Sequence, residues 1–193
     1  MFIILFLTDW ASFSVLQSEL HNCWSFNYGP KLETRPRYTI SECFETYAMP
    51  EKNPKVCYEL GRAYHDHRSA IMLTRQEGLT KTYNRFHDSD ESSSDIQKLR
   101  DLHVEMDNAV AAAYGWSGLD LGHGFHETKQ GTRFTISESA RREVLARLLK
   151  LNHERYAEEV AQGLHDKGKG KAVKTPRKSK GKASSEPSLF GED

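Results

Sequence analysis

Long apolar runs, cysteine pairs and nucleotide-binding glycine motifs are all missing from this sequence of 193 residues. No apolar run approaches the ~20 residues that a membrane-spanning helix needs, so we expect no membrane partner. The three scattered cysteines, Cys23, Cys43 and Cys57, form neither a CxxC pair nor a disulfide framework, which favours free, partly buried thiols in a reducing, cytoplasmic compartment. The five glycines between positions 115 and 131 fit no nucleotide-binding spacing, and the GxSxG elbow of hydrolases is absent.

The net charge of zero hides an uneven distribution along the chain. Residues 167–193 carry 8 basic and 3 acidic side chains, which leaves 19 basic and 24 acidic side chains in residues 1–166. Lysine, glycine, serine and proline dominate the last segment, and this composition predicts a disordered tail. Such a tail could neutralise several phosphates without reading sequence, or it could simply keep the protein in solution.

Hydrophobic spacing predicts a mainly helical α+β protein. Helices are predicted at 10–26 after a cap at Asp9, at 54–76 with a stop at Gly78, at about 96–110 after a cap at Ser92 or Ser93, and from a cap at Ser137 to Gly163. Strands are predicted at 2–7, 37–40 and 132–136, and loops at 27–54, 81–94 and 114–131. The loop at 27–54 is rich in proline, and surface loops of this kind often carry binding residues.

Two histidine groups are candidates for a metal site. His65 and His67 lie about 200° apart on the predicted helix, so they cannot grip one ion together. His123, His126 and Glu127 lie in a glycine-rich stretch where ligands could converge. The alternative is that these histidines form hydrogen bonds that shape a loop.

Two sets of basic and aromatic residues are candidates for nucleic-acid binding, through charge on phosphates and stacking on bases. The first set lies on the proline-rich loop and comprises Tyr28, Lys31, Arg35, Arg37 and Tyr38. The second set lies near the end of the second predicted helix and comprises Arg75, Lys81, Tyr83, Arg85 and Phe86. The alternative for both sets is a solvated surface with packed aromatic rings.

Two stretches of sequence indicate a family more specifically than the spacing of residue types does. They are SELHNCW at 18–24 and LETRPRYTISECFETYAMP at 32–50. They resemble the end of the target-recognition domain of large adenine-N6 DNA methyltransferases, in the MmeI-like branch of restriction-modification and phage-defence enzymes. That family has a helix with S-x-x-H-x-x-W, followed by a loop with R-Y-(S/T). Further stretches at 77–88, 119–127 and 141–156 resemble the helical C-terminal region of these enzymes, so the resemblance covers about residues 2–166.

The resemblance implies a protein that positions duplex DNA for a site-specific adenine-N6 methyltransferase. It implies three parts: the end of a target-recognition domain at 1–52, a helical domain at 53–166 and the tail at 167–193. The implied DNA contacts are Lys31, Arg35, Arg37 and Tyr38, with the Arg37–Tyr38 pair preferred, followed by Lys81, Tyr83 and Arg85.

Catalytic, cofactor-binding and metal-binding residues are not expected in this chain. The parent family binds S-adenosylmethionine through a glycine-containing loop and packs the flipped adenine on the aromatic residue of an (N/D/S)-P-P-(Y/F) motif, and neither the loop nor the motif occurs in the sequence. Two alternatives remain. The chain could dock on a separately encoded methyltransferase core through the segment at 2–7 and its amphipathic helices, or it could be the remnant of a truncated gene.

Overall fold

A computed structural model describes residues 9–32, 35–52 and 54–164, and it confirms a mainly helical α+β protein. The strand expected at 2–7 and the tail expected at 167–193 lie outside the described residues. Within the described ranges the helices are α1 (Trp10–Gln17), α2 (Glu19–Tyr28), α3 (Lys55–Arg75), α4 (Leu79–Phe86), α5 (Ser94–Ala113) and α6 (Glu138–Ala161). The strands are β1 (Lys31–Leu32), β2 (Arg35–Pro36), β3 (Gly124–Thr128) and β4 (Gly131–Thr135), and Ile40–Phe44 form a π-helical turn.

The helix predicted at 10–26 is two helices, α1 and α2, separated at Ser18. The predicted cap is confirmed, because Asp9 Oδ1 accepts a hydrogen bond of 2.8 Å from the Ser12 amide. Ser18 has extended backbone angles, donates its hydroxyl to Val15 O at 2.7 Å and accepts from the His21 amide at 3.4 Å. Serine competes with helical hydrogen bonds in this way, so one residue ends α1 and caps α2.

The helix predicted at 54–76 is confirmed as α3, but the residue that stops it is Gln76 and not Gly78. Gln76 adopts the left-handed conformation, with φ 49°, and ends the helix before Gly78. Gly78 caps α4, which occupies part of the loop expected at 81–94. Thr82 and Phe86 are buried one turn apart on α4, and this short apolar face was too brief to stand out in the sequence.

The last two predicted helices are confirmed as α5 and α6. Ser137 caps α6 by accepting the Ala140 amide at 3.2 Å, and Gly163 follows the helix with φ 74°. The strand expected at 132–136 is confirmed as β4, which pairs antiparallel with β3 so that Phe125 faces Phe134. The strand expected at 37–40 is wrong: the short β1–β2 pair precedes it, and Ile40 begins the π-helical turn.

The core has two parts that meet along α3 and α5. One lies among α1, α2, α5 and α6 and contains Val15, Trp24, Val110, Val144 and Leu148. The other lies among α3, α4 and α5 and contains Tyr64, Ile71, Phe86, Leu99 and Met106. None of the helices in the described ranges combines the length and apolar character needed to cross a membrane.

A buried arginine closes the second part of the core. Arg100 is 3% exposed, and its guanidinium donates to four backbone carbonyls at 2.7–3.0 Å, those of Arg85, Phe86, Asp88 and Glu91. Buried carbonyls need such donors, so Arg100 fixes the connection from α4 to α5. The guanidinium also lies 5.0 Å from the ring centre of Phe125, which attaches the β3–β4 hairpin to the same place.

Gly61 permits the close approach of α1 and α3, and its replacement is a test of this packing. A Cβ at position 61 would collide with Trp10 O and Ser14 Oγ. We expect Gly61→Ala to lower the free energy of unfolding by about 1–2 kcal/mol, because overpacking outweighs the helix propensity that alanine gains. Urea denaturation measures this. Gly118→Ala is the matched control, since its Cβ would meet open space, and equal losses in both variants would contradict the packing.

Candidate nucleic-acid interface

We call the segment 29–50, which follows α2, the 29–50 loop. Its second half forms hydrogen bonds with three surrounding elements. Thr46 is held from both sides: the Trp24 indole donates to its hydroxyl at 3.1 Å, and the Asn152 amide donates to its carbonyl at 2.7 Å. Arg155 donates to Met49 O at 2.5 Å. The loop is therefore fastened to α2 and α6. A further bond of 2.8 Å from the Tyr114 hydroxyl to Ala48 O ties it to the end of α5.

The backbone at Arg37 is held at both its amide and its carbonyl. The Arg37 amide donates to Pro30 O at 2.9 Å, and the Cys43 thiol lies 3.9 Å from Arg37 O as a weak donor. Gly29 permits this arrangement, because a Cβ there would collide with Ser25 O and Cys43 Sγ. Arg37 is thus an exposed residue on a fixed backbone.

Tyr38 points toward α2 and contacts a buried histidine. His21 is 4% exposed, and its Nδ1 lies 3.0 Å from Leu16 O, a carbonyl that can only accept, so Nδ1 carries the proton. Nε2 of the neutral ring is then the acceptor for the Tyr38 hydroxyl at 3.3 Å. Burial lowers the pKa of His21 to about 4 and raises the pKa of Tyr38 to about 12. Both groups are therefore neutral at pH 7, as this hydrogen bond requires.

The other two candidates of the first set, Lys31 and Arg35, lie on β1 and β2. Their backbones are brought together by the antiparallel pair, in which Leu32 is the partner of Arg35. Residues 31–38 hold three basic side chains and one acidic side chain, whereas residues 39–52 hold three acidic and one basic. The positive charge of the loop is thus concentrated in the half that contains Arg37.

The second set of candidates lies on α4, which packs against α3 and α5 rather than α2 and α6. Lys81 is exposed there. The Tyr83 hydroxyl is 3.0 Å from both the Tyr64 hydroxyl and Arg68, which places it in a hydrogen-bond network of the protein.

Arg85 is also occupied by protein contacts, since it lies 3.2 Å from Glu77 and 2.8 Å from Glu91. Hydrogen bonds from Ser93 and Arg85 lower the pKa of Glu91 to about 2. Glu91 is therefore ionised beside the guanidinium at neutral pH. In the second set, Lys81 is therefore exposed, whereas Arg85 forms ion pairs with two glutamates.

The candidate metal histidines form hydrogen bonds to the protein. His67 donates to Asp95 O at 2.8 Å, and His126 donates to Gly122 O at 2.8 Å. His65 contacts Asp66 at 3.2 Å, and His123 donates to Asp107 at 2.8 Å. Within the described ranges, the structure gathers no three histidine, cysteine, aspartate or glutamate residues that could hold a metal ion.

A buried polar cluster beneath α2 escaped sequence reasoning, because its members are far apart in the chain. Asp107 is at its centre: Oδ1 accepts the Glu19 amide at 2.9 Å, and Oδ2 lies 2.8 Å from His123 and 3.5 Å from His103. Glu19 accepts the Thr135 hydroxyl at 3.0 Å and lies 3.7 Å from His103. We call these five residues the Asp107 cluster.

The Asp107 cluster keeps its charges paired. Burial alone would lower the pKa of His103, but the charges of Asp107 and Glu19 reverse this effect and raise it. Burial alone would raise the pKa of Glu19, but hydrogen bonding and the charge of His103 lower it. Through these contacts the cluster joins α2, α5 and β4.

The thiols behave as the sequence suggested. Cys23, Cys43 and Cys57 are all free and buried. Burial raises the pKa of the Cys23 thiol to about 12, so it is not a reactive thiolate at neutral pH.

Comparison with known proteins gives one similar structure. No protein-family model and no curated protein matches the chain. The chain is similar to the Type IIL restriction-modification enzyme MmeI, solved in complex with DNA, with 23% sequence identity and a TM-score of 0.48. The match covers 78% of this chain and 17% of that protein.

The low pKa of His21 predicts a loss of stability in mild acid. The unfolded chain binds a proton at His21 near pH 6.5 and the folded chain only near pH 4, so stability falls as pH falls through this window. His87, whose pKa burial also lowers to about 4, acts in the same direction. Each histidine contributes a slope of up to about 1.4 kcal/mol per pH unit.

Urea denaturation between pH 7 and pH 5 measures this slope. We expect His21→Asn to reduce the slope by about one proton relative to the unaltered protein. The matched control is Asn84→Ala, which replaces an exposed side chain on α4 that does not titrate and should leave the slope unchanged. An unchanged slope in His21→Asn would remove His21 as the source.

Proposed function

We propose that this chain is the DNA-positioning part of a site-specific DNA methyltransferase of the restriction-modification or phage-defence type. The observation that carries the proposal is the contact between the two family-like stretches. The first stretch forms α2 and the second forms the loop, and α2 holds the loop so that Arg37 is exposed on a fixed backbone. Duplex DNA is the proposed partner.

The chemistry of the loop suits a phosphate-rich partner. A guanidinium can form two parallel hydrogen bonds with a phosphate or with a guanine edge. A loop that is already ordered loses little entropy on binding, so more of the contact energy becomes affinity. Along the sequence, residues 31–38 also carry an excess of basic over acidic side chains.

Methyl transfer to adenine N6 is proposed to occur on a catalytic domain that is not contained in these residues. That domain would bind S-adenosylmethionine, since this sequence has neither the glycine-containing loop nor the (N/D/S)-P-P-(Y/F) motif. The role proposed for this chain is to hold the DNA beside that domain. Cytoplasmic DNA is the expected target.

A second candidate function is docking on a separate methyltransferase chain. The observation that favours it is a group of exposed apolar side chains on α3 and at the start of α4. Val56 and Tyr58 are 46% and 42% exposed, and Leu73 and Leu79 are 80% and 49% exposed. In this candidate function, a protein partner would cover these apolar side chains.

Arg37→Ala tests the proposed DNA contact. We expect weaker binding to a duplex and a salt dependence reduced by about 0.9 in the log–log slope, the value for one lost phosphate contact. Fluorescence anisotropy over a salt series measures both. Arg142→Ala is the matched control, because Arg142 is exposed on α6 and pairs with Glu138 at 3.0 Å. Equal effects of the two substitutions would argue against the loop.

Removal of residues 167–193 separates the loop from the lysine-rich segment. We expect the shortened protein to lose salt-sensitive affinity and to keep the part that depends on Arg37, because the 8 basic side chains of the removed segment bind phosphates without reading sequence. The same anisotropy assay compares both lengths with and without Arg37→Ala. Complete loss of binding in the shortened protein would favour the docking function.

A further inference from the structure

The three residues of the S-x-x-H-x-x-W pattern begin α2 and attach the 29–50 loop to it. Ser18 caps α2, His21 contacts Tyr38 and Trp24 donates to Thr46. His21 and Trp24 are three residues apart on one helix, so their side chains share a face. The loop lies on that face, with Tyr38 bound at one end and Thr46 at the other.

The orientation of the His21 ring is determined by the break between the first two helices. Leu16 lies in the last turn of α1, where carbonyls lack a helical partner. His21 Nδ1 donates to that carbonyl at 3.0 Å, and the Tyr47 ring packs against the imidazole edge-on at 4.8 Å. The ring therefore cannot turn without losing a buried hydrogen bond. Nε2, the acceptor atom of the ring, contacts Tyr38 of the loop.

In this geometry Arg37 and Tyr38, the pair preferred from the sequence, have different roles. The Tyr38 hydroxyl contacts His21 inside the protein, so it is not directed at a partner. Arg37 is the neighbouring residue and is exposed. The half-buried Tyr38 is therefore an anchor directly beside the exposed Arg37.

We propose that His21 is a positioning residue for the Arg37 contact with duplex DNA, and that it acts through the Tyr38 hydroxyl. The inference rests on the proposed function for its DNA part. The positioning itself is a property of the free protein. It gives a buried histidine a role in the placement of an exposed arginine.

Three substitutions separate positioning from general stability. In His21→Asn the side-chain amide can still donate to Leu16 O, but it is too short to accept from Tyr38. Tyr38→Phe removes the same hydrogen bond from the other side. Ser25→Ala is the matched control, because it removes the other hydroxyl near Nε2, at 3.4 Å, and leaves the Tyr38 contact in place.

The first measurement is hydrogen exchange at the Arg37 amide, which donates to Pro30 O in the free protein. We expect about fivefold faster exchange in His21→Asn and in Tyr38→Phe, the factor for the loss of one typical hydrogen bond. Ser25→Ala should exchange at the original rate. Unchanged exchange in both test variants would overturn the positioning, whatever the chain binds.

The second measurement is a double-mutant cycle on duplex affinity. We expect His21→Asn to weaken binding by about fivefold when Arg37 is present and to have no further effect in Arg37→Ala, because both act through one contact. Equal losses in both backgrounds would overturn the inference. Arg37→Ala without any effect, together with faster exchange in His21→Asn, would overturn the DNA part and the proposed function while supporting the positioning.

His21→Gln completes the series as a rescue variant. Its longer side chain brings an amide oxygen near the position of Nε2, where it can accept from Tyr38. We expect duplex affinity and Arg37 amide exchange close to those of the unaltered protein. A purely structural role would instead predict the same loss in the Asn and Gln variants, and that result would contradict the inference.

Discussion

The carboxylate of Asp107 is the group on which the placement of the 29–50 loop depends. It is completely buried, and Oδ1 accepts the first amide of α2 while Oδ2 faces His103 and His123. An unpaired carboxylate at this position would be very costly, so the partners must be present together. Asp107 thereby fixes the start of α2 on α5. The face of α2 that carries His21 and Trp24 follows from that position.

The 29–50 loop is held on α2 and α6 by a small number of hydrogen bonds. His21 binds Tyr38, Trp24 binds Thr46, and Asn152 and Arg155 of α6 close the loop from the other side. Each of these contacts joins a side chain to the loop by a directional hydrogen bond rather than by apolar packing alone. Directional contacts hold an exposed segment in one geometry, which is what the proposed contact of Arg37 with DNA requires.

The charged groups divide into those used inside the protein and those left at the surface. Carbonyls and carboxylates of the protein bind the cationic groups of Arg100, Arg85 and His103. By residue type alone, each of the three would have been a candidate for binding phosphate. Arg37 and Lys81 are exposed. Residue type is therefore a weak guide to a nucleic-acid surface, and the exposure of each cation has to be known before a role is proposed for it.

Local signals in the sequence determined much of the helical framework. The caps at Asp9 and Ser137, the apolar faces of α3, α5 and α6, and strand β4 depend on residues within a few positions of one another, so the sequence alone predicts them. It also placed the basic loop beside the S-x-x-H-x-x-W helix. The break at Ser18 and the short helix α4 could not be predicted from local signals alone. The sequence around Ser18 is also compatible with a continuous helix, and that of α4 with a loop.

Only the tertiary structure decided which side chains are buried partners and which are exposed. The Asp107 cluster joins positions 19, 103, 107, 123 and 135, and the contact between His21 and Tyr38 spans 17 residues. Such pairs leave no periodic trace, since their distance depends on how whole helices pack. The residue types of the proposed interface could thus be predicted from the sequence. That Tyr38 is anchored while Arg37 is exposed is a consequence of packing.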